Sequence, residues 1–445
     1  LYNTPDIPQA FKFYHFGRLP VREAPCTYGV TRMMISSFMR IADRSVGIMT
    51  THTDEDPPFR NRRFYRSLCI AGRRSGLMVF VFTPPGIDWS RKQVTGYAYD
   101  PDHKQWMCRT FPLPSVVYDR CFFTERHQYA AYRAAMRRLD EHPSVRLLGC
   151  GLKDKWTVQQ LLEQDERFGI YLPRTERLRG MRTVADWLRE CREVILKPQS
   201  GSQGRGVLLV RSRPLPAAGT VNTAEPAFTV RGRDKRNRAF ERDFADKAAL
   251  LEWLRRFVAR RSYLLQQYLP LQTQDGEAYD VRVLAQKNDT GRWQLTGMAV
   301  RRGRDGSLTS NLHGGGTAEP AAPFLAREFG REAAEELLRK LTRLSEELPI
   351  ALESYHGRLV ELGIDYGVDR DGNLWILEVN SKPGRSIFTY LQDDQAKCAA
   401  LANPLHYAWY ILRQQDERKR GKNFGGTGRR LSGKVVEGAR MPKNH

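Results

Sequence analysis

The chain lacks the features that mark a membrane-spanning protein, a disulfide-stapled scaffold or a zinc protein. Its seven cysteines (Cys26, Cys69, Cys108, Cys121, Cys150, Cys191, Cys398) are scattered, odd in number and never spaced C-x-x-C, so neither a disulfide framework nor a zinc site is indicated. The longest apolar run, Leu77 to Phe82, is far too short to cross a bilayer, and the first 25 residues have no apolar core behind a basic start. A cytoplasmic location is expected. No Ser/His/Asp or Cys/His signature of a protein nucleophile stands out, and the P-loop pattern G-x-x-x-x-G-K-[ST] is absent. Negative charge is also scarce: 50 acidic residues face 72 basic ones, a formal net charge of +22. That excess attracts something anionic, whether nucleic acid, an acidic surface or polyphosphate, without saying which.

A chain of 445 residues divides into two or three domains on ordinary domain size. Residues 1–42 read as an extension with no assignable pattern. Short apolar runs over 46–51, 77–82 and 116–118, with a basic helix over 128–139, suit a small α/β domain over 43–145. A second unit over 146–413 opens with helices near 153–162 and 184–191, then strands over 194–197 and 207–210. The stretch 210–245, Pro-rich and then Arg-rich, is expected as an exposed insertion. A helix (247–259), a strand (263–268) and hairpins over 280–301 and 357–380 follow. The basic, glycine-rich tail from about 414 is expected to be disordered.

The hairpin over 357–380 carries the strongest local chemistry. Asp371-Gly372 reads as a two-residue turn, because a type I′ turn needs positive φ at both central positions. That register sets Asp365 opposite Glu378, with Asn380 on the same face since side chains repeat every two residues. Two carboxylates across a strand pair lie about 5 Å apart and repel, so a cation belongs between them. Oxygen donors without His or Cys suit a hard cation such as Mg²⁺, which shares its sphere with water and phosphate.

A phosphate side is legible as well. Lys197 ends the apolar strand 194–197 and precedes a loop with Gly201, Gly204 and Gly206, whose missing side chains let backbone amides approach phosphate oxygens. Taken alone, that loop is also what an ordinary flexible turn looks like. Lys155 opens a helix, where a cation opposes the helix dipole and gains nothing structurally. Asp280 and Arg282 share a strand face with Arg301 nearby, which suits either a sheet salt bridge or an arginine pair aimed at an anionic transferred group. The loop His313-Gly-Gly-Gly-Thr317 reads equally as a substrate loop or a turn.

Taken in order, Lys155, Lys197 with its glycine loop, the strand 264–269, Asp280/Arg282, Arg301, and Asp365/Glu378/Asn380 resemble the ATP-grasp superfamily. The wording of 47–51, 111–120, 279–288, 293–297 and 378–384 is similar to the YheC/YheD family of endospore coat-associated ATP-grasp proteins. The resemblance implies a small α/β domain followed by two α+β lobes that clasp ATP. It puts Lys155 and Lys197 on the phosphates, the backbone of Gln267, Tyr268 and Leu269 against adenine, and one or two Mg²⁺ on Asp365, Glu378 and Asn380. Arg282 and Arg301 would stabilise the phosphoryl group in flight. Many relatives have Glu-Glu where Gln266-Gln267 stand here, which leaves Gln272 or Glu277 for the ribose. The reaction implied is attack of a substrate carboxylate on the γ-phosphate, then capture of the acyl phosphate by an amine or thiol. The basic surface suits an acidic peptide or cell-wall polymer, and the likeness adds spore coat components as partners. The rival readings are a structural spore-associated protein that keeps the site without turnover and, third, a nucleic-acid binder, although aromatics are not interleaved among the basic runs.

Overall fold

The computed structural model describes residues 44–424 except 124, 202–203, 214–226, 235, 304–309, 311–314, 386, 389–390 and 392. Three sheets follow one another along the chain. The first contains β1 (Ser45–Met49), β2 (Met78–Asp88), β3 (Gln93–Asp100), β4 (Gln105–Pro112), β5 (Val116–Asp119) and β6 (Arg146–Leu147) in the order β4-β3-β2-β1-β5-β6. β1 runs parallel to both β2 and β5 and is buried along its whole length, as expected of the run Ser-Val-Gly-Ile-Met between two parallel neighbours. Helices Arg62–Arg74 and Arg126–Glu141 complete this α/β unit.

The second sheet is antiparallel: β7 (Thr175–Arg177), β8 (Glu193–Pro198), β9 (Leu208–Ser212), β10 (Phe228–Arg233), β11 (Ala239–Phe244) and β12 (Tyr263–Gln267), ordered β11-β10-β9-β8-β12-β7. Helices Met181–Cys191 and Lys247–Val258 cover one face, burying Trp187, Leu188, Leu250 and Leu254 against Val194, Leu196, Val210 and Val230. Alternation along β8 sends Val194 and Leu196 into that core and leaves Lys197 on the other face. Within the stretch expected as an exposed insertion, Phe228–Arg233 and Ala239–Phe244 are instead strands of this sheet. Their one buried-face pattern is short, and β11 is mostly exposed at the sheet edge, so little apolar periodicity marks it.

The third sheet holds β13 (Tyr279–Lys287), β14 (Trp293–Arg302), β15 (Thr317–Pro320), β16 (Glu361–Val368) and β17 (Leu374–Asn380), ordered β15-β14-β13-β16-β17. Helices Lys155–Glu163, Ala321–Phe329 and Arg331–His356 pack on it. Leu337, Leu341, Leu344, Leu348 and Leu352 repeat at three- and four-residue spacing along the long helix and are all buried. Each such leucine contributes roughly 1.5–3 kcal/mol of burial. The last helix, Asp394–Phe424, places Leu405, Ala408, Ile411 and Leu412 in the core of the first unit, packs on the helix Arg62–Arg74 and also touches β13 and β14, which ties the first unit to the third sheet. The chain thus stays helical to Phe424, past the 414 expected for the start of a disordered tail; residues 425–445, like 1–43, lie outside the described residues.

Candidate functional site

The β16–β17 hairpin sets two acids face to face by a route the sequence did not suggest. The turn is wider than two residues: Asp369 N donates to Asn373 O at 3.1 Å, Gly372 N donates to Asp369 O at 3.0 Å, and the Asp369 carboxylate accepts from the amides of Asp371 and Asn373. Gly372 has φ +79°, whereas Asp371 is not among the residues at positive φ, so the type I′ expectation fails. That loop alone would bring Leu377 opposite Asp365. A bulge restores the pair: Tyr366 lies opposite Ile376, but Asp365 lies opposite Glu378 and Gly363 opposite Asn380.

Asp365 and its neighbours form a buried charge cluster. Arg282 Nε lies 2.9 Å from Asp365 Oδ1, and Arg301 Nη2 lies 3.0 Å from Asp365 Oδ2. Arg301 also grips Asp280 with two donors at 2.6 Å, and Ser310 Oγ donates to the same carboxylate. The sheet explains this: Asp280 lies opposite Arg301, and Arg282 opposite Asp365, so the bridges run across strands, whereas a bridge between Asp280 and Arg282 would run along one. Burial pushes the Arg282 pKa down, with Asp365 opposing it. Burial also disfavours charged Arg301, yet Asp280 and Asp365 outweigh that and hold its proton more tightly. Among the described residues Arg282 Nη1 is buried without a hydrogen-bond partner, a state that costs about 1–3 kcal/mol or more for a charged group. Gly363 is required beneath it, because a Cβ there would lie 2.6 Å from Arg282 Nη1 and 2.7 Å from Pro383 Cβ.

The two lysines sit across from Glu378. Lys155 Nζ lies 3.4 Å from Glu378 Oε1 and donates to Gly201 O at 2.7 Å. Lys197 Nζ donates to Gln266 Oε1 at 3.0 Å, and Gln266 is itself fixed by Thr175 Oγ1 at 2.9 Å. Burial pushes the Lys197 amine down to about 8, Glu378 opposing and Lys155 reinforcing the fall. Lys155, Lys197, Leu264, Ile376 and Glu378 line one narrow cleft of about 20 Å³ between the second and third sheets. Gly201, Gly204 and Gly206 all have positive φ (137°, 71° and 79°), so the loop beside the lysines takes a path that side chains resist.

Sequence reasoning passed over what aims Lys155. Asp154 caps the helix Lys155–Glu163, accepting from Trp156 N and Thr157 N, and it also accepts from Gln199 Nε2 at 2.8 Å. Lys155 N in turn donates to Gln199 O at 3.3 Å. The capping aspartate offsets the unfavourable lysine at the helix start and locks it to the end of β8. An Asp just before a helical run is a readable N-terminus signal. Ser381 and Lys382, directly after Asn380, were also passed over. Ser381 Oγ accepts from Leu152 N at 2.8 Å, while Lys382 Nζ lies 2.7 Å from Asp119 Oδ2 and donates to Cys121 O at 2.9 Å, fastening this loop to the first unit.

The remaining expected residues are less tightly gathered. Gln267 N is already spent on Arg174 O at 2.9 Å, Leu269 O accepts from Leu271 N at 2.8 Å, and the Tyr268 hydroxyl lies 3.4 Å from Arg211 Nη2. Glu277 is paired with Arg302, and no contact joins it to the lysines among the described residues. Nor do any three His, Cys, Asp or Glu side chains cluster closely enough there to hold a metal unaided. His313 and Gly314 of the His313–Thr317 loop lie outside the described residues, and Thr317 starts β15.

Residues 144–411 match the family described as YheC/D like ATP-grasp. The chain belongs to this family. It is 29% identical over 343 residues to the endospore coat-associated protein YheC of Bacillus subtilis (strain 168), covering 77% of this chain and 90% of that one. It is 27% identical to YheD of the same organism, over 82% of this chain and 78% of that one. Among solved structures, the D-cycloserine synthetase DcsG superposes with a TM-score of 0.49 at 16% identity, over 83% of this chain and 99% of that one. In ATP-grasp terms the second and third sheets are the two lobes, and the first sheet is the small α/β domain before them. Among the described residues no helix is long and apolar enough to cross a membrane.

Proposed function

We propose that the protein is an ATP- and Mg²⁺-dependent ligase that activates a substrate carboxylate as an acyl phosphate and passes it to an amine or thiol. The observation that carries this reading is the meeting of Lys155, Lys197 and Glu378 at one cleft between the lobes, with Arg282, Arg301 and Asp365 on the adjoining strands. The donors fit the groups required. Two lysines suit phosphate oxygens, and the unpartnered Arg282 Nη1 is a buried donor that an anionic phosphoryl oxygen would satisfy. Glu378, Asn380 and Asp365 would hold Mg²⁺ through hard oxygen donors, the metal neutralising phosphate charge when bound. Arg282 and Arg301 present fixed positive charge, which favours the more charged transition state, and their anchoring acids keep them from reorganising. Lys197, with its amine poised near 8, keeps its charge at neutral pH and gains most when an anion arrives.

The cleft of about 20 Å³ is far below the roughly 300–1,000 Å³ of small-molecule sites, so nucleotide entry requires the lobes to part, and a degenerate scaffold whose site stays shut is the alternative to exclude first. Thermal unfolding with ATP and Mg²⁺, on the native chain and on Glu378→Gln, tests the reading. A ligand at one hundred times its Kd stabilises the fold by about 2.7 kcal/mol, so a Mg²⁺-dependent rise in Tm lost in the variant is expected. ADP release on adding carboxylate and amine mixtures would then establish turnover. A shift without ADP release would leave the structural reading that keeps the site without turnover, and no shift at millimolar ATP would leave a degenerate scaffold as the better reading.

A further inference from the structure

We propose that a second cleft, adjoining the lysine pair, docks an acidic peptide segment through Arg177, Arg179 and Arg261. This cleft measures about 420 Å³, and the three arginines line it together with Leu178, Met181 and Ser262. Its size falls within the roughly 300–1,000 Å³ of ligand clefts. All three arginines are exposed, and among the described residues none of them has a carboxylate within ion-pair distance. The neighbouring Arg174, by contrast, is paired with Glu190. Arg177 lies over the Trp156 ring at 5.4 Å, and the one acid of its strand, Glu176, is taken by Trp187 Nε1 at 3.0 Å. Three uncompensated guanidinium groups around one concavity form a site for several negative charges at once, and their planar forks match carboxylates two donors at a time.

The position of the cleft links it to the chemistry. Gln199 lines it, and the Gln199 carbonyl accepts from the backbone amide of Lys155, which lines the lysine cleft. Tyr263 of the arginine cleft and Leu264 of the lysine cleft are consecutive on β12 and so face opposite sides of the sheet, and the two clefts come together at its end, where Gln199 leads into the glycine loop. A chain held by the arginines is therefore presented at the edge of the glycine loop. A peptide is favoured over nucleic acid because, among the described residues, the one aromatic lining the cleft, Tyr263, is 3% exposed and the nearby Trp156 ring is faced by Arg177, so no open face is offered for base stacking, while Leu178, Met181 and Val258 suit the methylenes of glutamate side chains. The inference deepens the ligase reading, on which it rests for the role of the docked chain as the carboxylate donor.

The experiment is fluorescence anisotropy of a labelled ten-residue oligoglutamate with the full chain, at 50 and 200 mM salt. The variants are the triple change Arg177→Gln, Arg179→Gln, Arg261→Gln and a control with the same charge loss, Arg331→Gln, Arg339→Gln, Arg343→Gln, on the exposed face of the long helix. The expected result is salt-sensitive binding that the cleft variant weakens at least tenfold and the control by less than threefold. Equal loss in both variants, or no binding by the native chain at 50 mM salt, overturns the proposal. So does a single-stranded oligonucleotide of equal charge that binds as tightly and is lost in the same way. Tm with ATP and Mg²⁺ on the cleft variant separates the two readings: a retained nucleotide shift beside lost peptide binding keeps the nucleotide site independent of the cleft, and an absent shift in the native chain counts against the ligase alone.

Discussion

Replacing Lys197 with methionine should make the free protein more stable while removing its response to ATP. The amine falls from an ordinary 10.5 to about 8, chiefly because it is buried. At about 1.4 kcal/mol per pK unit, that fall corresponds to roughly 3 kcal/mol of cost for keeping the charge in the folded chain. Lys197 retains some exposure, which screens part of this, and the hydrogen bond to Gln266 returns about 1 kcal/mol, so a net gain near 1–2 kcal/mol is expected for Lys197→Met at pH 7. The pH dependence fixes the sign. Between about 8 and 10.5 the unfolded chain holds a proton that the folded chain has released, so native stability rises with pH across that window. Below 8 both states are protonated and the cost is constant. Urea denaturation of both chains from pH 7 to 10, followed by tryptophan fluorescence, should show the advantage of the variant shrinking above pH 8. An advantage that stays flat across the window, or a variant less stable at pH 7, would refute the reasoning that Lys197 is held at an electrostatic cost.

Other perturbations follow from the same geometry. Glu361 is fully buried and held by Arg120 Nη1 at 2.8 Å, by Arg385 and by the Tyr118 hydroxyl at 2.6 Å. Burial raises its pKa but Arg385 and Arg120 more than reverse that, so its stabilisation is present above the unfolded value of 4.5 and fades as pH falls through the lower folded value. Glu361→Gln should therefore lose about 3–5 kcal/mol at pH 7, with the gap to the native chain closing below about pH 4.5, as read by denaturation at each pH. Gly363→Ala should cost about 1–3 kcal/mol by overpacking against Arg282 and Pro383, and it should depress any ADP release far more than it lowers Tm. Asp154→Ala should remove about 1 kcal/mol of helix capping and loosen Lys155, measurable as weaker nucleotide affinity with little change in far-UV circular dichroism.

Much of the architecture was legible because its elements obey local rules. β1, β5, β8 and β12 are short apolar runs between turn residues, and β13 and β14 form the hairpin expected over 280–301. The face shared by Asp280 and Arg282 followed from strand periodicity alone. What escaped was non-local. The bulge at Leu377 shifts the β16–β17 register between Tyr366 and Asp365, and nothing between 361 and 380 announces it. The opposition of Asp365 and Glu378 was reached from a wrong turn because the bulge cancelled the error by one residue. The partners of Asp365 came from β13 and β14, distant in sequence, so its pairing with Arg282 and Arg301 was invisible. The long helix Arg331–His356 was not anticipated, although its leucine spacing carries the signal, whereas β11, exposed and charged, carries little signal of a strand.

The charges at the site explain why it is so closed. Lys155 reaches both Glu378 of one lobe and Gly201 of the other, so a single side chain bridges the lobes by an ion pair and a hydrogen bond. Glu378 also offsets part of the cost of burying Lys197. In this arrangement each lysine has an internal stand-in for part of the charge or hydrogen bonding that a phosphate would supply: Glu378 and the Gly201 carbonyl for Lys155, Gln266 for Lys197. On the proposed ligase reading, a nucleotide would have to displace the first two contacts to enter, its phosphate oxygens carrying more charge than one carboxylate and one carbonyl. Affinity for ATP should then depend steeply on phosphate number, falling from ATP to ADP to AMP by more than tenfold at each step, with Glu378→Gln flattening the series through the loss of both the competitor and a donor to the cation.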